Sequence, residues 1–352
     1  MPANLSPEFK KAEAEFKQAR DPRERLRCLR DMLRSIPKHK GTEHLQADIK
    51  TRIKQLTEEL TGPKKGGARG GPTHSIRPEG AAQVVLIGPP NAGKSSLHAR
   101  LTGSHAKVAP YPHTTKTPLP GMLPYEGVDF QLVDLPPVSP DFMEPWYVNA
   151  LRPADAAMLV VDLSDPECVE QVVTIRDWLD QKKVTLDEQW AGAGDAAAEA
   201  GRRQDAEPAE EDADEVPDPF RIHLPTLLAA NKSDLDPDPD DVRVLEELLG
   251  VRFPAVAVSA ETGAGLGKIG PLLFDGLGIV RVYTKIPGRS ADKKRPYAMR
   301  QGDTVLDVAR LVHKEVAESL KFARVWGSGQ FDGQQVGADH PMADEDIVEF
   351  HG

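Results

Sequence analysis

Gly88, Gly93, Lys94 and Ser95 stand at the spacing G-x-x-x-x-G-K-S, inside the run Gly88-Pro89-Pro90-Asn91-Ala92-Gly93-Lys94-Ser95-Ser96. Each residue type has a job at that spacing. The glycines let the backbone turn tightly, so that successive N–H groups point inward at phosphate oxygens. The ammonium of Lys94 reaches the β- and γ-phosphates, and the Ser95 hydroxyl is presented to Mg²⁺. A helix opening at Lys94 adds the positive end of its dipole. The chemistry is the holding of a nucleoside polyphosphate.

A second set of residues reads the base. Asn231-Lys232-Ser233-Asp234 follows an apolar run. A carboxylate there accepts two hydrogen bonds from guanine, from the ring N–H and the exocyclic amine. Adenine offers no such pair, so it leaves the carboxylate unpaired. Further on, Ser259-Ala260 closes another apolar run, where backbone N–H groups meet the guanine carbonyl. Singly these are weak signals. In this order after a phosphate loop they point to GTP and GDP.

These residues need strands and helices to hold them. Val84–Ile87, Val128–Val133, Ala156–Val161, Leu224–Ala230 and Ala255–Val258 read as strands, the first leading into the phosphate loop. Met122–Tyr125 pairs with Val128–Val133 around Glu126-Gly127. The spacing predicts helices over 167–181, 239–249 and 265–276. Apolar strands alternating with helices make a mostly parallel sheet covered on both faces. The strand ending at Asp134 places that carboxylate to bind Mg²⁺ through water. In the loop 104–120, Tyr111-Pro112-His113-Thr114-Thr115 offers a threonine that closes over Mg²⁺ and the γ-phosphate.

Around this nucleotide domain, assigned to residues 82–279, lie three other regions. Residues 1–61 read as a helical arm, with Leu45, Ile49, Ile53, Leu56 and Leu60 on one apolar stripe. Residues 62–81 form a flexible basic linker. Residues 280–352 are a compact α+β unit with one main helix in Thr304–Leu320. Residues 187–218 carry 12 acids against 2 arginines and read as a disordered acidic insertion.

Charge is uneven. Residues 1–80 hold 18 Lys/Arg against 11 Asp/Glu, a net of +7, in a chain whose net charge is −11. Such a protein is no general nucleic-acid coat, but the arm leaves two readings open, an RNA- or partner-binding face or a solvated one. No apolar stretch reaches the length of a membrane span, and no signal-peptide pattern is present. Cys28 and Cys168 suggest neither a disulfide nor a metal site. A cytoplasmic location fits.

The nucleotide motifs resemble those of translation-factor-related GTPases, and the chain as a whole resembles the developmentally regulated GTP-binding proteins of the Obg group. Besides the phosphate loop and Asn231–Asp234, the resemblance rests on Tyr111-Pro112-His113-Thr114-Thr115, Val282-Tyr283-Thr284-Lys285, Lys321-Phe322-Ala323-Arg324-Val325-Trp326-Gly327 and Val336-Gly337-Ala338-Asp339-His340. It covers nearly the whole chain, the acidic insertion excepted. It implies that Thr115 is the Mg²⁺-binding threonine of switch I. It also implies that residues 280–352 form a TGS domain with a ubiquitin-like β-grasp fold, and that the protein associates with ribosomes or RNA.

Two departures matter. The family reads D-x-P-G after its third strand, where this chain reads Asp134-Leu135-Pro136-Pro137, then Val138-Ser139-Pro140. Asn91 stands where close relatives carry serine, and it resembles GTPases that use K⁺ near the phosphates. Plain loop-stabilising hydrogen bonds are the other reading of Asn91. Two functions follow. One is a slow Mg²⁺-dependent GTPase in which Lys94, Thr115 and Asn91 act by positioning and charge neutralisation, since no glutamine follows Asp134. The other is a guanine-nucleotide-binding scaffold with negligible hydrolysis, because Pro137 replaces the glycine, with a protein partner open in either case. In both, Gly88 to Ser96, Asn231, Lys232, Asp234, Ser259 and Ala260 hold the nucleotide, and Ser95, Thr115 and Asp134 hold the metal.

Overall fold

The computed structural model describes residues 6–19, 21–37, 42–61, 76–103, 117–138, 146–190, 192, 218–235, 241–291, 293, 295–329 and 331–352. The loop carrying Thr115, most of the linker and most of the acidic stretch lie outside the described residues. The chain divides into two compact units, residues 1–71 with 203–221, and residues 72–202 with 222–352.

The first unit contains α1 (Pro7–Gln18), α2 (Pro22–Ser35) and α3 (Glu43–Thr61). Ser6 starts α1 by accepting the Phe9 N–H, and Asp21 starts α2 by accepting those of Arg23 and Glu24. α2 packs against both its neighbours. Phe9, Phe16, Leu29, Met32 and Ile49 meet in a core that also takes Phe220, from beyond the acidic stretch. Phe220 meets Phe16 edge-on at 5.9 Å, and the Arg52 guanidinium lies 3.9 Å from its ring centre. A large aromatic two residues before Ile222 thus completes the helical core.

The second unit holds β1 (Ala82–Ile87), α4 (Lys94–Thr102), β2 (Leu119–Tyr125), β3 (Val128–Asp134), α5 (Tyr147–Leu151), β4 (Ala156–Asp162), α6 (Cys168–Gln181), β5 (Val184–Asp187), β6 (Ile222–Asn231), α7 (Asp241–Leu249), β7 (Ala255–Ala257) and α8 (Ile269–Gly276). The strand order is β2-β3-β1-β4-β6-β5, with β7 also on β6, and every pair but β2–β3 is parallel. Side chains alternate along β1. Val85 and Ile87 enter a core with Tyr147, Ile175 and Leu245, while Val84 and Leu86 enter another with Leu97 and Leu273. Two apolar faces explain why the strands read as continuous runs.

β5 ends at Asp187, where the stretch whose composition reads as insertion begins, and the buried Trp190 lies inside that stretch. The indole N–H of Trp190 donates to the Thr226 carbonyl at 3.3 Å, and its ring lies where a Cβ on Gly276 would be, 2.5 Å away. One tryptophan in a polar segment was too sparse a signal to outweigh the acids around it. At the other end, Gln83 and Gln131 fasten the last residues of the linker. The Gln83 amide donates to the Ile76 carbonyl and to Gln131 Oε1, and the Gln131 amide donates to the Arg77 carbonyl.

The C-terminal part adds β8 (Ile279–Thr284), β9 (Tyr297–Arg300), α9 (Val305–Val312), α10 (Lys314–Ser319), β10 (Phe322–Trp326), β11 (Gln334–Val336) and β12 (Ile347–His351). Its sheet order is β11-β10-β12-β8-β9, with β8 and β12 parallel, which is the β-grasp arrangement. The one helix expected over Thr304–Leu320 is two, because His313 is extended and its side chain accepts the Glu315 N–H to start α10. Among the described residues no helix is long and apolar enough to cross a membrane.

Candidate nucleotide-binding site

β1 delivers the chain into the phosphate loop at Gly88. A Cβ there would lie 2.2 Å from the Val160 carbonyl oxygen, so only glycine lets the loop leave the sheet at this point. Gly93, at φ +87, is the N-cap of α4 and offers no side-chain cap, which leaves the first N–H groups of the helix for a ligand. A Cβ on Gly93 would meet Asn231 Nδ2 at 2.3 Å.

Lys94 is buried, with Nζ donating to the carbonyls of Gly88 at 3.0 Å and Pro89 at 2.7 Å. Burial, opposed by the charge of Asp134, lowers its pKa to about 8. Ser95 donates its hydroxyl to Asp134 Oδ2 at 2.6 Å, and Asp134 is fully buried. A hydroxyl and a carboxylate side by side, at the root of a phosphate cradle, suit a hard divalent cation with oxygen ligands. The described residues therefore fit Mg²⁺. Asn91 lies at φ +61 on the exposed outer edge of the loop.

Asn231 ties three segments together. Its Nδ2 donates to the Ala92 carbonyl at 2.9 Å, and its Oδ1 accepts the Ala260 N–H at 3.0 Å. Ser259, fully buried, braces the turn beyond it by accepting the Thr262 N–H at 3.0 Å. Asp234 is exposed on the loop after β6, beside these segments in sequence. So phosphate loop, Asn231–Asp234 and Ser259-Ala260 share the C-terminal ends of β1, β6 and β7, where ligands of open α/β sheets bind. Among the described residues the structure joins Ser95 to Asp134, and Asn231 to the phosphate loop at Ala92 and to Ala260, while Asp234 follows on the loop after β6 and Thr115 lies outside the described residues.

Two residues were not named as site residues from the sequence, Asp162 and Val138. The first, Asp162, pairs its Oδ2 with the ammonium of Lys232, a residue named from sequence that lies at φ +62. Burial pushes the Asp162 carboxyl up, but Lys232 and Ser164 outweigh it and hold the pKa below the ordinary carboxylate value. The available signal was an acid closing the apolar run of β4, which lies in register with Asn231. The second is Val138. Its N–H donates to the Gly88 carbonyl at 3.1 Å, and its side chain is 4% exposed in the core. Leu135, fully buried, donates its own N–H to the Leu86 carbonyl at 3.4 Å. Between them Pro136 and Pro137 have no N–H.

This fold and site define a P-loop GTP-binding protein. Residues 83–188 match the family described as 50S ribosome-binding GTPase, and residues 280–351 match the TGS domain. A GTP-binding protein of Methanocaldococcus jannaschii is 28% identical, the match covering 92% of this chain and 91% of that one. Developmentally-regulated G-protein 2 of Arabidopsis thaliana is 27% identical, over 93% of this chain and 90% of that one. A solved GTP-binding protein of Pyrococcus horikoshii OT3, 17% identical, covers 77% of this chain and 99% of its own with a TM-score of 0.50, and so supports the fold alone. The chain is thus similar over most of its length to developmentally regulated GTP-binding proteins, and it carries a GTP-binding domain followed by a C-terminal TGS domain.

Proposed function

We propose that this protein is a slow, Mg²⁺-dependent GTPase that works on a ribosomal or RNA partner. The observation that carries the reading is the convergence of the Gly88–Ser96 loop with Asn231 and Ala260 through the Asn231 side chain. In this reading the loop N–H groups and the α4 N-terminus bind the phosphates, and Lys94 exchanges the Gly88 and Pro89 carbonyls for β- and γ-phosphate oxygens. Asp234 reads guanine and Lys232 lies beside it. Ser95, Asp134 and Thr115 would hold Mg²⁺, which neutralises charge on the β- and γ-phosphates. With no glutamine to orient water, catalysis rests on positioning, with K⁺ beside Asn91 as an accelerator. The basic residues 1–80 and the TGS domain make the RNA or ribosomal contact, a reading supported by the net +7 of that segment and the description of the matched family.

One observation favours a second reading, a nucleotide-binding scaffold with negligible hydrolysis. From 135 to 138 two residues have no N–H and the other two donate theirs to the chain's own backbone. A γ-phosphate therefore finds no ready donor in residues 135–138, the start of the segment called switch II in related GTPases. A single-turnover GTPase assay with Mg²⁺, run with and without K⁺, separates the two. Slow hydrolysis, faster in K⁺, is the expected result. Intact nucleotide binding with no hydrolysis above the uncatalysed rate would leave the scaffold.

A further inference from the structure

The chain's arginines are not spread evenly over the arm. α2 carries Arg23, Arg27, Arg30 and Arg34, spaced four, three and four residues apart, and all four are exposed. At 100° per residue that spacing puts them on one stripe, about 16 Å long at 1.5 Å per residue. The stripe lies opposite the face that buries Leu29, Met32 and Ile36 in the core. Arg25, off the stripe, is used internally, with its guanidinium 4.9 Å from the Phe16 ring centre.

The stripe is only loosely neutralised. Arg27 meets Glu15 at 4.0 Å and Arg34 meets Asp31 at 3.4 Å, with the arginine side chains 66% and 81% exposed. Exposed pairs at such distances contribute little and are easily exchanged for a better anion. Among the described residues Arg23 and Arg30 have no ion-pair partner. Guanidinium forks bind phosphate bidentately, and four in a row at about one helical turn each match a repeating anion better than a single one.

We propose that this face of α2 binds the phosphodiester backbone of RNA, without regard to sequence, through Arg23, Arg27, Arg30 and Arg34. The inference rests on the RNA-partner reading above and gives it a surface. The rest of the chain argues for a local contact. Residues 81–280 carry a net charge of −18 and repel RNA, so binding is confined to a patch whose field is felt within a Debye length of about 8–10 Å.

The test uses the full-length protein and a fluorescein-labelled 20-nucleotide oligouridylate, with affinity measured by anisotropy over a salt series. Wild type should bind with a steep salt dependence. The double variant Arg23→Gln/Arg30→Gln should bind about tenfold more weakly at low salt, with the slope of log K against log salt reduced by about 1.4. Arg23→Lys/Arg30→Lys should restore most of that slope, since the point charges return. Melting temperatures should match wild type, because both residues are exposed and unpaired. Wild-type binding with a slope unchanged in the glutamine variant would overturn the stripe while leaving RNA binding to another surface. No wild-type binding at low salt would overturn both. If the glutamine variant instead lost only binding to polyglutamate, the partner would be an acidic protein and the proposal would fail.

Discussion

At the scale of single residues, the site depends on groups whose neighbours set their charge. Lys94 is held by two carbonyls and by the charge of Asp134, and burial lowers its pKa to about 8. Phosphate oxygens in contact with it would favour the charged form. Nucleotide affinity should therefore be full below pH 8 and fall as pH rises through that value, by up to about tenfold per unit. The protein measured without nucleotide should behave oppositely. Its folded-state Lys94 pKa lies below the unfolded one, so the burial penalty is fully present below about pH 8 and is relieved as pH rises toward about 10.4. Calorimetry of GDP binding from about pH 7 to about pH 9.5 checks the first claim, and a flat affinity would contradict it. Asp234→Asn should weaken GTP and GDP by about 2–4 kcal/mol and admit xanthine nucleotides, because the amide reverses one donor–acceptor pair. Unchanged GDP affinity in that variant would show that Asp234 does not read the base.

At the scale of elements, one arginine joins the C-terminal domain to the hairpin that carries Asp134. β2 and β3 are connected by Glu126 and Gly127, both at positive φ, the mirror-image turn that a two-residue hairpin requires. Arg281, on β8, reaches that turn. Its Nη1 donates to Glu126 Oε2 at 2.9 Å, and its other nitrogens bind Asp344 at 2.6 and 3.0 Å and Glu345 at 3.1 Å. The guanidinium also lies over Phe274 of α8 at 5.3 Å. Arg281→Ala should lower stability by about 1–3 kcal/mol, since the three acids lose their shared partner but can hydrate. Earlier proteolysis of the chain near 279 should accompany the loss, and an unchanged melting temperature would show that the domains are held elsewhere. Little of this was legible beforehand. β1, β4 and β6 could be read because they are long apolar runs buried on both faces. β5, β9 and β11 are three or four residues each and owe their existence to a partner strand, which no local pattern reports. The same holds for Asp162 and Phe220, whose partners are distant in sequence.

At the scale of the molecule, two charge regimes and one stiff segment shape what the protein can do. The +7 of residues 1–80 stands against the acidic nucleotide domain. Deleting residues 1–61 should weaken co-sedimentation with ribosomes or RNA and flatten its salt dependence, because fewer counterions are released. Equal co-sedimentation of both forms across a salt series would move the contact to the TGS domain or abolish it. The stiff segment runs from Asp134 to Val138. In related switches the residue at 137 donates its N–H to the γ-phosphate, and the bond disappears on hydrolysis. Here that residue is proline. Val138, the next in line, must break its hydrogen bond to the Gly88 carbonyl and draw a buried side chain out of the core before it can substitute.

The central claim is therefore that the start of switch II does not sense the γ-phosphate, although the phosphate loop binds nucleotide. It is tested by calorimetry of GDP and a non-hydrolysable GTP analogue on wild type and on Pro137→Gly. Wild type should bind the two with similar affinities, and the glycine variant should favour the analogue by an added 1.5–3 kcal/mol, about tenfold or more. A wild type that already prefers the analogue strongly, with no change on substitution, would mean that Val138 or another N–H does the sensing, and the account of this switch would be wrong.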